Sequence, residues 1–421
     1  MPSISHHRQD VRTPAPSPDG TPRTAGAGLL VILCVPMFLV LLDVMAMNVA
    51  MPTIGRTFSV PTGEWARVVD AYTVPLALGL VPGGWIVDRW GPRRILLAGL
   101  VVFTLASTLG GLAPGWSTVL LARVGQGTAA AVMLPAGLAA ISTAWTEESA
   151  RARALGAWSG ISAAATAVGP AVGGLLVAAA SWRAVFWVNV PLGLAALWGT
   201  AVRVRDGHRA AERGRPGALL PLCASILVAG MMTSGANGTL QVVTVHLQQG
   251  LGLAPGPAGL VLLLATAPFV VLGPVAGRLV VRWGRRGVAA AGFGLGGAGL
   301  MSLGHGGGAV TVVPGLLGIG VGLGLMTSAI VGESLASWSS RAGLAGGLNN
   351  TLRQVGTSVG VAVGAAATAH WTGTGLLTRT GAVAGLWWWC AAMIVLIAFT
   401  RGHGGRRPRS DPDSETGAGS S

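Results

Sequence analysis

Twelve long apolar segments dominate this chain of 421 residues and restrict its fold more than any other feature. Hydrophobic residues make up 51% of the sequence and charged residues 10%, whereas soluble domains carry about 25% charged residues. A transmembrane helix needs roughly 20 mostly apolar residues, and in lipid its backbone groups must be satisfied within the segment. We therefore predict an all-α polytopic membrane protein with twelve transmembrane helices. The predicted spans are residues 28–53, 67–87, 94–113, 116–143, 152–180, 184–202, 218–247, 256–281, 287–304, 310–332, 343–370 and 381–400.

The arginines predict how these helices are oriented. All 28 basic residues are arginine, and with both termini in the cytoplasm 22 of them fall on the cytoplasmic side. Basic residues concentrate in cytoplasmic loops, so we predict a plasma-membrane protein whose termini are both cytoplasmic. The net charge of +14 does not indicate nucleic-acid binding, because the arginines occupy short gaps between apolar runs. The exceptions are Arg56, Arg67, Arg183 and Arg379 on the outer side and Arg123 and Arg353 in helices.

A short phrase occurs twice and divides the chain into halves. Residues 84–91 read Gly-Trp-Ile-Val-Asp-Arg-Trp-Gly, and residues 277–284 read Gly-Arg-Leu-Val-Val-Arg-Trp-Gly. Each copy lies between two apolar segments, and many transporters are built from such repeats. The predicted domains are disordered cytoplasmic tails at 1–27 and 401–421, six-helix bundles at 28–203 and 218–400, and a cytoplasmic linker at 204–217.

Few ionisable residues fall inside the predicted helices, and each is a candidate functional group because a charge in the bilayer is costly. Asp43, in the first helix, is expected either to bind a proton or a cationic substrate, or to be a packed polar group. Arg123 has two candidate partners, Asp43 and Asp70. A carboxylate that changed partners during transport would gain and lose a proton in each cycle. Asp70 could instead favour a helix N-terminus at the outer surface; Tyr72, the only tyrosine, follows it.

The repeated phrase contains a candidate gate. Asp88 lies in a glycine-rich turn, where a carboxylate can bind the positive N-terminal end of another helix. Such a contact would be a latch that breaks when the bundles separate, and a plain surface turn is the alternative. The second copy has Val281 at the position of Asp88, so a latch is expected on one side only.

A proline between glycines marks the fifth helix. Residues 169–174 read Gly-Pro-Ala-Val-Gly-Gly. Proline removes a helix hydrogen bond, and glycine lets a neighbouring helix approach closely. The combination predicts a kink with a tight seam, with a generic kinked helix as the alternative.

Sequence motifs of enzymes are absent. We find no Walker phosphate loop, no nucleotide-binding fingerprint after a strand and no Gly-x-Ser-x-Gly elbow. His246 and His305 are isolated and have no second ligand at metal spacing. No catalytic residue, metal or cofactor is expected, and the energy for transport would come from an ion gradient with the proton as coupling ion.

Together these motifs resemble the major facilitator superfamily, and most closely its drug:proton antiporter branch, which usually has fourteen helices. The resemblance covers roughly residues 28–400. Six motifs carry it, at residues 42–52, 84–94, 123–127, 169–174, 182–191 and 347–354.

The resemblance implies roles for particular residues. In this family the helix 4 motif is associated with proton transfer, and the helix 5 motif marks exporters more than importers. The implied proton-coupling or cavity residues are Asp43, Asn48, Arg123 and Gln126. Asp70 and Tyr72 join these candidates from their place at the start of the second helix and not from the resemblance. The implied gating-loop residues are Gly84, Asp88, Arg89, Gly91 and Arg93, and those of the antiporter motif are Gly169, Pro170, Gly173 and Gly174.

The chain departs from that branch in two places. The branch usually inserts two extra helices between its halves, whereas only a short polar segment joins them here. The helix 1 motif usually has Thr or Ser and an aliphatic pair after its Asp; residues 44–47 read Val-Met-Ala-Met, which bears on substrate preference more than on coupling.

We predict a monomeric twelve-helix transporter that exports a small hydrophobic or amphipathic molecule in exchange for protons. Its partners would be this substrate and the lipid bilayer. The alternatives are an exporter or importer of a metabolite or lipid and, from another class, a membrane-embedded receptor or enzyme.

Overall fold

The computed structural model describes residues 26–61, 64–65, 67–204, 219–253, 255–304, 310, 312–370 and 373–399. The two predicted tails and the predicted linker lie outside the described residues, except for Gly26, Ala27 and Val204. The domain boundaries predicted at 28–203 and 218–400 therefore remain predictions.

The described chain is almost entirely helical. A π-helical turn, His246–Gly250, follows the eighth helix, and a 3-10 turn, Ser339–Arg341, precedes the eleventh. The α-helices are α1 (Ala27–Thr57), α2 (Arg67–Trp90), α3 (Pro92–Gly111), α4 (Trp116–Ala144), α5 (Glu148–Ala179), α6 (Arg183–Trp187), α7 (Asn189–Arg203), α8 (Leu219–Val245), α9 (Pro255–Met301), α10 (Val313–Ser337), α11 (Ala342–His370) and α12 (Gly373–Ala398).

These helices give the twelve crossings predicted from the sequence. α6 and α7 form one crossing, Arg183–Arg203, because Val188 between them keeps helical backbone angles. α9 forms two, because Gly284 (φ 74°, ψ 162°) breaks it within the second copy of the repeated phrase. Gly91, at the same point of the first copy, has φ 91°, a conformation that glycine adopts without steric cost.

By length and apolar composition alone, nine helices of the described chain qualify as membrane spans. That set counts α9 once and omits α2 and α11. α2 and α11 pack against each other across the boundary between the two halves of the chain.

Two predicted helix ends are wrong. α12 begins at Gly373 rather than at 381, so Arg379 lies inside the helix and not in an outer loop. The apolar face extends further than the sequence indicated, since Leu376 and Leu377 are buried. α10 continues to Ser337 rather than ending at 332, which places Glu333 within the helix.

Most of the helix packing lies within one of two sets of helices. In the N-half (α1–α7), α4 packs against α2 and α3, and α1 packs against α5. In the C-half (α8–α12), α8 packs against α11, and α9 packs against α10 and α12. Small residues permit this close approach; a Cβ at Gly127 would lie 2.2 Å from the carbonyl oxygen of Tyr72.

The halves meet through α2 with α11 and through α5 with α9. One end of the molecule contains the turn from α2 to α3 and the break in α9, and we call it the basic end. Its arginines include Arg89, Arg93, Arg94, Arg285 and Arg286.

Candidate functional site

A group of polar side chains is buried inside the N-half. Its members come from α1, α3, α4 and α7, and none is more than 1% exposed. Burying a polar group costs free energy unless the group is hydrogen-bonded. We therefore describe the site by the hydrogen bonds that these side chains make with one another. We call them the carboxylate cluster: Asp43, Ser107, Arg123, Gln126 and Asn189.

Both oxygens of the Asp43 carboxylate accept hydrogen bonds. Arg123 Nη1 donates to Oδ2 at 2.5 Å. Asn189 Nδ2 and Gln126 Nε2 donate to Oδ1 at 2.6 Å and 3.0 Å. Hydrogen bonds to an ionised acceptor are roughly twice as strong as neutral ones. Since every partner donates, the arrangement fits an ionised carboxylate.

Arg123 is held from several sides as well. Its Nη1 also donates to Gln126 Oε1 at 2.8 Å, and its Nε donates to the carbonyl oxygen of Val68 at 3.2 Å. The guanidinium lies 4.3 Å from the centroid of the Tyr72 ring. Removing one partner of a buried ion pair costs about 3–5 kcal/mol. A proton on Asp43 would remove the charge of the carboxylate and leave Arg123 with its hydrogen bonds to Gln126 and Val68, so it would favour a rearrangement of Arg123.

Four of the predicted proton-coupling residues lie together, namely Asp43, Tyr72, Arg123 and Gln126. Asp70 and Asn48 do not join them. Asp70 is exposed in the first turn of α2. Successive helix residues turn by about 100°, so it faces away from the buried Tyr72. Asn48 is exposed on another face of α1 than Asp43. The partner of Arg123 in the structure is Asp43.

Two cluster residues were missed as site candidates. Asn189, at the start of α7, lies within the sequence motif at residues 182–191, but no role was predicted for it. Ser107 lies in α3; it accepts from Gln126 Nε2 at 2.9 Å and donates to the Phe103 carbonyl at 2.7 Å. In the sequence, each of the two residues is a polar side chain within an apolar helix. That pattern alone does not indicate which side chain of another helix it contacts.

Asp88 joins the two halves at the basic end. Its Oδ1 accepts from the Gly343 N–H at 2.7 Å and its Oδ2 from the Leu344 N–H at 2.8 Å, both in the first turn of α11. Gly84 lies one turn earlier in α2, where a Cβ would be 2.4 Å from the Gly343 carbonyl oxygen. A carboxylate at a helix N-terminus is favoured by the helix dipole, so this contact has the geometry of the predicted latch.

The other predicted loop residues surround this contact. Arg89 is exposed, with its guanidinium 6.0 Å from the Trp85 ring. Gly91 makes the left-handed turn into α3. Arg93 Nη2 donates to the carbonyl oxygen of Ala201 in α7 at 2.9 Å, within the N-half.

The second copy of the phrase forms a similar seam with different chemistry. A Cβ at Gly277 of α9 would lie 2.6 Å from the Ala152 carbonyl oxygen of α5. Val281 is 49% exposed and caps nothing. The α5 N-terminus is capped by Glu147, which accepts from the Ser149 and Ala150 N–H groups at 3.2 Å and 3.1 Å. Hydrogen bonding to Ser149 lowers the pKa of the Glu147 carboxyl.

Arg285 makes a second link between the halves. Its Nη1 donates to Glu148 Oε1 of α5 and its Nε to Glu333 Oε2 of α10, each at 2.6 Å. Glu333 is therefore buried in an ion pair. Among the described residues, all hydrogen bonds and ion pairs between the N-half and the C-half lie at the basic end, which is closed.

The predicted antiporter motif lies against α1. A Cβ at Gly169 would be 2.4 Å from Met45 Cβ, and one at Gly173 would be 2.6 Å from Ala46 Cα. Pro170 is exposed, and Gly174 is less crowded, with its nearest neighbour 3.9 Å away. The closest packing between α5 and α1 therefore involves residues that follow Asp43 in the sequence. This close packing limits how α5 can move past α1.

Asp88→Asn is expected to slow transport about five- to thirtyfold and to change substrate affinity less than about twofold. The amide cannot accept both N–H groups of α11, and losing such a bond costs about 1–2 kcal/mol. The state with a closed basic end becomes less populated, so fewer molecules complete the cycle. Transport rate and substrate binding are measured in reconstituted vesicles.

Val281→Asn is the matched control, because the equivalent residue of the second copy makes no capping contact. It is expected to transport at the wild-type rate. Parallel losses of binding and rate in Asp88→Asn would show that Asp88 is not a latch.

Comparisons with known proteins agree with this architecture. Residues 33–361 match the Major Facilitator Superfamily. The chain is 29% identical over 400 residues to the multidrug resistance protein Stp of Mycobacterium tuberculosis, covering 80% of this chain and 74% of that protein. It is also 29% identical over 419 residues to the tetracenomycin C resistance and export protein of Streptomyces glaucescens, covering 82% and 77%.

A solved structure shares the fold at low sequence identity. A crystal structure of the transporter FucP in an outward conformation superposes with a TM-score of 0.71 at 14% identity, covering 87% of this chain and 97% of FucP. The likeness shows the fold.

Proposed function

Because the chain belongs to the Major Facilitator Superfamily, we propose that it exports a small hydrophobic or amphipathic compound in exchange for protons, by alternating access between its halves. The observation that carries this proposal is the buried Asp43–Arg123 pair, 2.5 Å apart in a membrane helix bundle. Ionisable groups at membrane depth mark ion pathways and proton relays more often than packing.

The basic end lies in the cytoplasm in this proposal, together with both chain termini, in the plasma membrane. The support is the excess of arginine at that end. Since the hydrogen bonds and ion pairs between the described parts of the two halves lie there, the proposal takes the observed conformation as one closed toward the cytoplasm. The halves would open at the basic end when the Asp88 and Arg285 links break.

In the coupling step, the Asp43 carboxylate exchanges its ion pair with Arg123 for a bound proton. A proton from the outside binds the carboxylate, removes its charge and releases Arg123 and Gln126. The bundle then closes outside and opens inside, where the proton leaves as substrate binds. Proton and substrate thus act on the same equilibrium between the outward-open and inward-open states. A ligand shifts such an equilibrium only by its differential affinity for the two states.

The proton gradient supplies enough energy for useful export. One charge moving across about 100 mV releases roughly 2.3 kcal/mol. At about 1.4 kcal/mol per tenfold, one proton sustains about a 50-fold gradient of a neutral substrate. One titrating carboxylate is therefore sufficient, and no other cofactor is needed.

The substrate class follows from the relatives and from the composition. Two of them are named for resistance to several drugs and for export of tetracenomycin C. A chain with this apolar content offers few charged groups to a ligand, which favours compounds that bind by apolar contact. Within the proposal the protein acts as a monomer and has no nucleic-acid partner.

Uptake into inverted vesicles tests the function. We expect at least one of a panel of lipophilic dyes and antibiotics to accumulate when the vesicle interior is acidified, and a protonophore to abolish this accumulation. Vesicles carrying Asp43→Asn are the control for leakage. Accumulation by the wild type that a protonophore does not reduce would contradict proton coupling.

A further inference from the structure

Asn189 is the member of the carboxylate cluster with incomplete hydrogen bonding. Its Nδ2 donates to Asp43 Oδ1 at 2.6 Å, a shorter contact than that of Gln126 to the same oxygen. Its own Oδ1 is buried and has no hydrogen-bond partner among the described residues. Buried acceptors are rarely left unpaired in proteins, and each exception calls for a physical reason.

We propose that Asn189 is a positioning residue for proton binding, which serves both protonation states of Asp43. Its amide N–H holds the ionised carboxylate as observed. When a hydronium ion transfers its proton to Asp43 Oδ1 and leaves as water, the amide turns over and Asn189 Oδ1 accepts the hydrogen bond from the new O–H. This inference rests on the proposed function, because it takes Asp43 as the group that binds the proton.

The neighbouring amide cannot take this part. Gln126 Oε1 already accepts from Arg123 Nη1, and Gln126 Nε2 also donates to Ser107. Turning the Gln126 amide over would break both contacts. Asn189 makes a single side-chain hydrogen bond, so its amide rotates at lower cost. The carboxamide is suited to the change because one end donates and the other accepts.

Few charged groups compete with Asn189 around Asp43. Among the described residues, the charged side chain that contacts Asp43 is Arg123 from α4, and the titratable side chain that contacts Arg123 is Tyr72 from α2. α3 contributes the Ser107 hydroxyl and α7 contributes Asn189. α5, which also packs on α1, has ionisable residues only near its start at the basic end. The arginine of α6, Arg183, bonds the Ala113 carbonyl.

Asn189→Leu keeps the branched shape and removes both hydrogen-bonding ends. The ionised carboxylate loses a charge-assisted bond, and the protonated acid loses a weaker neutral one. Because the ionised form loses more, protonation becomes easier, and the midpoint of the Asp43 titration is expected to move about one pH unit higher.

The measurement is the pH-difference infrared spectrum of the purified full-length protein. The carboxyl band that disappears in Asp43→Asn reports the protonation of Asp43, and no substrate is required. Asn350→Leu is the matched control, since Asn350 is a buried amide in the C-half that bonds the Gly346 carbonyl oxygen. It is expected to leave the midpoint unchanged.

If Asn189→Leu does not fold, Asn189→Ser replaces it. Its shorter hydroxyl side chain still donates and accepts, so the shift is expected in the same direction but smaller. An Asp43 band whose midpoint stays within about 0.3 pH unit of wild type in a folded variant would overturn the inference. So would the absence of an Asp43 band in the wild type. Failure of proton-driven accumulation in the vesicle assay would instead contradict the proposed function, and the infrared titration does not depend on it.

Discussion

Asp43→Asn is expected to reduce substrate accumulation in energised vesicles from as much as about 50-fold to about onefold. The amide has nearly the shape of the carboxylate and keeps an oxygen that can accept from Arg123, but it cannot take up and release a proton. Movement of substrate down its own gradient should persist, because both halves of the protein still fold. The measurement is the ratio of inside to outside substrate at steady state.

Asp70→Asn is the matched control for this prediction. Asp70 is a carboxylate of the same half that the structure places on the surface, in the first turn of α2. We expect this variant to accumulate substrate as the wild type does. Loss of accumulation in Asp70→Asn together with retention in Asp43→Asn would show that the proton site has been assigned to the wrong carboxylate.

Gly84→Ala is expected to lower the transport rate by at least about tenfold. The added Cβ would lie 2.4 Å from the Gly343 carbonyl oxygen and 2.9 Å from Leu344 Cα, well inside the 3.5–4.0 Å at which carbon atoms pack. Both neighbours are backbone atoms, so no side chain can move aside. α2 and α11 must separate, which pulls Asp88 away from the α11 N-terminus.

Amide hydrogen exchange reports this separation directly. The Gly343 and Leu344 N–H groups are bonded to Asp88 in the closed state, so both should exchange faster in Gly84→Ala. Gly294→Ala is the control, because a Cβ there meets nothing within 4 Å. Wild-type exchange and wild-type transport in Gly84→Ala would show that closure at this seam is not part of the cycle.

The helices were predictable because a span of apolar residues in lipid has few alternatives to a helix. Their ends were less so. α12 starts earlier than predicted because Leu376 and Leu377 are buried by neighbouring helices, and α10 continues past Glu333 because Arg285 neutralises that carboxylate. Both reasons are tertiary contacts, which hydropathy along the chain does not contain.

The candidate site was predictable residue by residue but not as an arrangement. Asp43 and Arg123 stood out because they are charged residues in apolar helices. The sequence left Asp70 as an equal partner for Arg123, since the distance between helices cannot be obtained from spacing within them. The role of Asn189 depends on a contact between α1 and α7, residues 146 positions apart, and the Arg285 links depend on three separate helices.

The contact of Asp88 with the N-terminus of α11 was predictable for a local reason. A carboxylate in a glycine-rich segment can bind a helix N-terminus, and in the structure Asp88, in the last turn of α2, accepts from two N–H groups in the first turn of α11. The comparison of the two copies also indicated that Val281 could not repeat this contact.

Release of protons on substrate binding tests the central claim most directly. The purified protein is placed in lightly buffered detergent solution near neutral pH, a substrate identified by the vesicle panel is added, and the pH change is recorded. We predict that the wild type releases protons on binding and that Asp43→Asn binds the same substrate without releasing any. Equal release by both proteins would contradict the exchange of a proton for substrate at Asp43.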